Sequence, residues 1–161
     1  MFSINNNKFN NKSTHLLSIK TTSSPWLELK NVTNNIEFST QYAQVCLQHS
    51  QAKKWVLIIN PSDSSLEQLA KTHDVDISKI LCVNLKNKSS DINKSTFIDL
   101  DIEQIKNVLC KGNCSAVILS NATFNNKEIS ELGDSARQGQ TLCVLLQKQS
   151  INLTNDNKVV H

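Results

Sequence analysis

The sequence predicts an α/β domain, in which a mostly parallel sheet of about four strands carries helices on both faces. Short apolar runs without polar alternation recur at residues 55–59, 80–83, 115–119 and 141–146. Such runs are typical of strands that are buried on both sides by helices. Amphipathic segments separate them, so helix and strand alternate along the chain, and right-handed crossovers are expected.

The first predicted helix covers residues 36–51. Phe38, Tyr42 and Val45 recur at helical spacing and mark its buried face. The first strand, residues 55–59, should end at Pro61, which has no N–H to donate to a neighbouring strand. Ser64-x-x-Glu67 then matches a capping box that would open the next helix.

Helix-end signals organise the second half of the chain. Asp99 to Lys111 is predicted to be a helix, with Gly112 at the position after its end, where a positive φ is needed. Asn125-x-x-Glu128 resembles a second capping box and would open a helix that ends at Gly139. The apolar runs on either side of these helices, residues 80–83 and 141–146, are predicted to be buried strands.

The predicted domain occupies residues 36–150. Residues 1–35 and 151–161 are rich in asparagine, serine, threonine and lysine, which predicts an N-terminal and a C-terminal tail. Pro25 to Leu29 is the one apolar island of the first tail and would either dock on the domain or bind a partner. The five cysteines indicate reduced thiols, and no signal peptide or membrane span is evident, so we expect a cytoplasmic protein.

The sequence lacks the motifs of nucleotide chemistry. Neither G-x-x-x-x-G-K-[ST] nor G-x-G-x-x-G occurs, and the chain contains only three glycines. Cys110 and Cys114 do not have the spacing of a zinc or redox motif. Arg137 is the only arginine and the net charge is only +3, so no basic cluster for nucleic acid is evident. We therefore expect no catalytic, cofactor or metal site.

Several residues resemble the SulA-type cell-division inhibitors of the bacterial SOS response. Lys54-Trp55 leads into the strand that ends at Ile59, Pro61 follows, and the spacing onward to Leu69 and Lys79 agrees. Lys111-Gly112-Asn113-x-Ser115 and Gly139 match further on. The resemblance covers residues 45–148, about two-thirds of the chain.

This resemblance implies a RecA-like fold without a phosphate loop and no enzymatic activity. It also implies binding to FtsZ, the tubulin-like division GTPase, whose polymerisation and hence septum formation would be blocked. A homodimer is implied, as is recognition of the C-terminal tail, Val159-Val160-His161, by the ATP-dependent protease Lon. Neither a membrane nor a nucleic acid is expected as a partner.

The partner-binding positions implied by the resemblance are Lys54, Ile59, Leu69 and Lys79. Two of them depart from the family, because Lys54 stands in place of an arginine and Leu69 in place of a tryptophan. Core packing is the alternative for Ile59 and Leu69, and ordinary solvated charge is the alternative for the two lysines.

Two other functions remain open from the sequence. The chain could be a degenerate RecA-like module of DNA repair, whose DNA binding would weaken steeply with salt. It could also be a small thiol enzyme built on Cys110 or Cys114, which would require a cysteine of depressed pKa.

Overall fold

The computed structural model describes residues 24–72, 75–85 and 101–149. Their strands form one five-stranded sheet, with neighbours in the order β1-β5-β4-β2-β3, where β1 is Leu27–Val32, β2 Trp55–Ile59, β3 Ile80–Val83, β4 Cys114–Ser120 and β5 Leu142–Lys148. Every pair of neighbours is parallel. The helices of the described part are α1 (Asn35–Gln48), α2 (Asp63–Thr72), α3 (Ile102–Lys111) and α4 (Asn126–Gly139), and a 3₁₀ turn (Ile77–Lys79) leads into β3.

The helices lie on both faces of the sheet and create two separate cores. On one face α1 and α2 pack against alternate strand residues such as Val56, Ile58 and Ile118. On the other face α3 and α4 cover the intervening residues, Leu57 and Val117 among them. The predicted α/β class and the three-layer arrangement are confirmed.

The sheet has one strand more than the sequence predicted. β1 lies inside the segment that was assigned to a tail, so that assignment is wrong for residues 27–32. β1 pairs with β5 in register from Leu27 to Val32, opposite Cys143 to Lys148. Among the described strands it lies at the edge of the sheet, and Leu29 stays 50% exposed. The remaining tail predictions, for residues 1–23 and 151–161, fall outside the described residues.

The strand β3 is less buried than its apolar sequence suggested. Its four residues are half-buried or exposed, with Leu81 at 43% and Val83 at 39% exposure. The reason is topological, because among the strands that the structure describes β3 lies at the sheet edge and pairs only with β2. The prediction of a fully buried strand here was wrong.

The end of α3 packs closely against the end of α4, through two glycines. Gly112 caps α3 with φ 63°, as predicted. Gly139 is the last residue of α4 rather than its cap, and Gln140 takes the left-handed conformation with φ 50°. A Cβ on Gly139 would overlap the backbone carbonyl of Leu109. Gly139 is therefore required by a close backbone approach, not by its dihedral angles.

Side-chain caps set three helix starts in the described residues, at Asn34, Asp101 and Asn125. The Asn125 capping box is confirmed, since Glu128 N donates to Asn125 Oδ1 (3.0 Å) and Asn125 N donates to Glu128 Oε2 (2.7 Å). Asn34 caps α1 by accepting from Glu37 N at 2.9 Å. Within the described residues, no helix has the length and apolar character needed to cross a bilayer.

Candidate partner-binding site

A recess of about 370 Å³ opens at the amino-terminal edge of the sheet. It lies where α1 ends and where β2 and β3 begin. We call it the basal recess, and its lining residues are Cys46, Leu47, His49, Ser50, Lys54, Val56, Val75, Asp76, Lys79 and Ile80.

Two turns hold the polar side of the recess in place. After α1, His49 N donates to Val45 O (3.1 Å) and Ser50 N to Leu47 O (3.2 Å), which closes the helix before β2. Before β3, the Asp76 carboxylate accepts from the backbone N–H and the hydroxyl of Ser78 and caps the 3₁₀ turn. The second turn carries Lys79 to the recess.

The two lysines of the recess differ in how they are used. Lys79 Nζ donates to Ser50 O at 3.1 Å. Because the last turn of α1 contains no basic residue, Lys79 supplies the positive charge that stabilises the partial negative end of that helix. Lys54 is exposed and makes neither an ion pair nor a hydrogen bond with any of the described residues. Its ammonium group is therefore available to a partner.

The other titratable groups of the recess have clear charge states near neutral pH. Burial lowers the pKa of His49, and the charge of Glu28 only partly offsets this effect, so the imidazole is neutral. Hydrogen bonds from Ser78 lower the pKa of Asp76, so this carboxylate is ionised. Burial raises the pKa of Cys46 to about 11, so the recess contains no thiolate there. Lys54 and Lys79 thus oppose a single negative charge.

The structure brings together only two of the four predicted partner-binding residues. Lys54 and Lys79 both line the basal recess. Ile59 is 3% exposed in the core beneath α3 and α4, and Leu69 is 2% exposed in the core beneath α1 and α2. These two residues lie on opposite faces of the sheet, so core packing, the alternative reading, describes both of them. Any role of theirs in partner binding stays a prediction.

The pairing of Lys54 with Lys79 has a signal in the sequence. Each lysine directly precedes a predicted strand, Lys54 the one at residues 55–59 and Lys79 the one at residues 80–83. Amino-terminal ends of parallel strands meet at one edge of a sheet, which makes the two lysines neighbours. The contribution of His49 and Ser50 has no such signal, because nothing in the sequence marks where the turn after α1 will lie.

Burial disfavours the thiolate form of two cysteines, one of them a candidate nucleophile of a thiol enzyme. Burial raises the pKa of Cys114, and Lys54 only partly offsets this effect. Burial also raises the pKa of Cys143 to about 12. A thiol enzyme needs the opposite shift at its nucleophile. In the same part of the chain, no three His, Cys, Asp or Glu side chains are grouped as a metal site would require.

The carboxyl edge of the sheet, where α/β proteins often bind ligands, is tied together by two asparagines. Asn60 follows β2 with φ 51° and Asn121 follows β4 with φ 56°. Asn60 Oδ1 accepts from Leu85 N at 2.8 Å, and Asn121 Nδ2 donates to Asn60 O at 3.4 Å. These side chains connect neighbouring loops, and the two lysines lie at the other edge.

Comparison with known proteins finds a similar fold in a solved structure but no match in sequence. No protein-family model matches the chain, and no curated protein sequence matches it. Among solved structures, SulA from Pseudomonas aeruginosa aligns with a TM-score of 0.59 over 78% of this chain and 99% of that chain. This chain has a SulA-like fold. The two sequences are 13% identical, a level at which the likeness to SulA is one of fold.

Proposed function

We propose that this protein is a SulA-type inhibitor of cell division. It binds the tubulin-like GTPase FtsZ, blocks FtsZ polymerisation during the SOS response to DNA damage, and so prevents septum formation. The observation that carries the proposal is the SulA-like fold, which spans 99% of the SulA chain. The meeting of Lys54 and Lys79 in one recess supports it, because the resemblance in sequence singled out both residues.

The proposed mechanism needs binding and no bond-making chemistry. A protein that occupies one assembly face of a subunit removes that subunit from the pool that can polymerise, by mass action. GTP hydrolysis falls as a consequence, since it depends on contact between subunits. The raised pKa values of Cys46, Cys114 and Cys143 disfavour thiolate chemistry at these three residues.

Two further partners belong to the same proposal. A second copy of the chain forms a homodimer, and a Lon-type protease recognises the C-terminal tail at Val159, Val160 and His161. The tail lies outside the described residues, and the proposal for it rests on the sequence resemblance.

The experiment is sedimentation of FtsZ polymer with GTP, with and without the protein. We expect polymer to disappear near equimolar inhibitor and to return when the inhibitor carries Lys54→Glu and Lys79→Glu. The matched control is Lys127→Glu with Lys148→Glu, which changes the net charge equally at exposed positions in α4 and β5. Polymer that persists with wild-type protein would refute the proposal and leave a shared fold alone.

A further inference from the structure

We propose that the basal recess receives an acidic side chain of the division GTPase, held between Lys54 and Lys79 and flanked by an apolar neighbour. This inference rests on the proposed function and names the chemistry that the partner must present. It also predicts that Asp76, a residue that the sequence comparison did not mark, weakens the interaction.

The first argument is that Lys54 and Lys79 have unused hydrogen-bond donors. Ion pairs elsewhere in the described chain occupy Lys30, Lys71, Lys106 and Lys127, whereas neither lysine of the recess is ion-paired there. Lys79 donates one hydrogen bond to the neutral carbonyl of Ser50, which leaves two ammonium protons for another acceptor. Lys54 has all three. The one carboxylate that lines the recess, Asp76, accepts hydrogen bonds from Ser78 and forms no ion pair with either lysine, so several charge-assisted donors remain for a partner.

The second argument is the surroundings of these donors. Val56, Val75 and Ile80 form apolar walls beside the two lysines. An ion pair beside apolar walls is less exposed to water and is stronger than the same pair on an open surface. His49 is neutral near pH 7 and adds no charge of either sign.

The third argument is the shape and rim of the recess. A volume of about 370 Å³ exceeds the space that one carboxylate needs, so the recess has room for adjoining groups of the partner as well. Leu47 lines the recess and is 52% exposed, and Ile77, in the turn between Asp76 and Lys79, is 61% exposed. An acidic residue next to an apolar residue would match this combination of charge and exposed apolar surface.

Asp76 provides the critical test, because it opposes the lysines within the recess. Its ionised carboxylate should repel an incoming carboxylate. Asparagine caps turns and helices about as well as aspartate, so Asp76→Asn should keep the cap on Ser78 while removing the charge. A purely structural role for the recess predicts no gain in affinity from this change, whereas an acidic occupant predicts tighter binding.

The experiment measures the Kd of the full chain for GDP-bound FtsZ, under conditions that prevent polymerisation. We expect Asp76→Asn to bind about two- to five-fold tighter, and Lys54→Met with Lys79→Met to bind at least about ten-fold weaker. Lys127→Met with Lys148→Met is the matched control and should leave the Kd unchanged. Thermal unfolding of each variant excludes loss of folding as the cause.

Salt and charge reversal identify the occupant. Between about 0.01 M and about 0.15 M salt the Debye length falls from about 30 to about 8 Å, so the wild-type Kd should rise more than that of the double methionine variant. The defect of Lys54→Glu should be rescued by replacing one acidic residue of FtsZ with lysine.

The outcomes separate the two proposals. If wild-type protein binds FtsZ but Asp76→Asn binds no tighter and the double methionine variant binds equally well, the acidic occupant is refuted and the proposed function stands. If wild-type protein does not bind FtsZ in either nucleotide state, both are refuted. If the defect of Lys54→Glu is rescued by changing a basic residue of FtsZ and not by changing an acidic one, the proposal of an acidic occupant is likewise refuted.

Discussion

Replacing Gly139 with alanine should destabilise the protein, although alanine is the better helix former. The gain in helix propensity is at most about 1 kcal/mol. Against it, the new Cβ would overlap the carbonyl of Leu109 and press on the backbone of Cys110. Backbone atoms cannot move aside by changing rotamer, so α3 must shift away from α4, and overpacking of this kind costs about 1–3 kcal/mol or more.

We therefore expect Gly139→Ala to lower the free energy of unfolding by about 2 kcal/mol, which corresponds to a fall in Tm of about 4–8 °C for a chain of 161 residues. Urea denaturation followed by circular dichroism gives the free energy, and a thermal scan gives the Tm. Both should be recorded at one protein concentration, since association would shift them.

Gly133→Ala is the matched control, because it makes the same change in the same helix. Its Cβ would lie 3.3 Å from Leu27 Cδ2, the end of a flexible side chain on the edge strand β1. Leu27 can adjust, so the variant should remain within about 1 kcal/mol of wild type. Equal midpoints for Gly139→Ala and wild type would refute the close approach of α3 and α4.

Three other predictions test the core and the recess. Tyr42→Phe should lower the free energy of unfolding by about 1–3 kcal/mol, because the buried Ser120 Oγ, 2.7 Å from the Tyr42 hydroxyl, loses its hydrogen-bond partner. In a double-mutant cycle measured by urea denaturation, the variant that also carries Ser120→Ala should lose less stability than the sum of the two single changes. Burial lowers the pKa of His49 in the folded protein, so the unfolded chain takes up a proton first on acidification. The free energy of unfolding should thus fall as the pH drops through about 6.5. Urea titrations at several pH values should show a smaller dependence on pH for His49→Gln, and an unchanged dependence would contradict the burial of His49. Leu69→Ala should cost about 2–5 kcal/mol, as for other buried leucines, and a midpoint like that of wild type would contradict its burial.

The sequence predicted the buried elements well, because their signals are local. Strands such as Ala116 to Leu119 are apolar without interruption, and they occupy the centre of the sheet, where both faces are covered. The caps at Asn125 and Gly112 are also local, since each depends on a few neighbouring residues. Elements of this kind do not require knowledge of the tertiary structure.

The edges of the sheet could not be predicted in the same way. β1 contains Glu28, Lys30 and Asn31, a composition that also suits a tail, and only its pairing with β5 distinguishes the two. β3 is as apolar as a central strand, yet its position at the edge leaves Leu81 and Val83 exposed. Strand order is a long-range property, so burial at the edges depends on information that local patterns do not contain.

Under the proposed function, we expect the four positions suggested by the sequence resemblance to affect inhibition in different ways. Lys54 precedes β2 and Ile59 ends it, a separation of about 16 Å along the strand. Ile59 and Leu69 are also on opposite faces of the sheet, so one partner surface cannot contact all four side chains in this conformation. Substitutions at Ile59 and Leu69 should reduce inhibition only to the extent that they unfold the protein, and a stabilising background should restore it. Substitutions at Lys54 should reduce inhibition without a change in Tm. Lys79 should show both effects, because its ammonium group stabilises the end of α1 and also faces the recess.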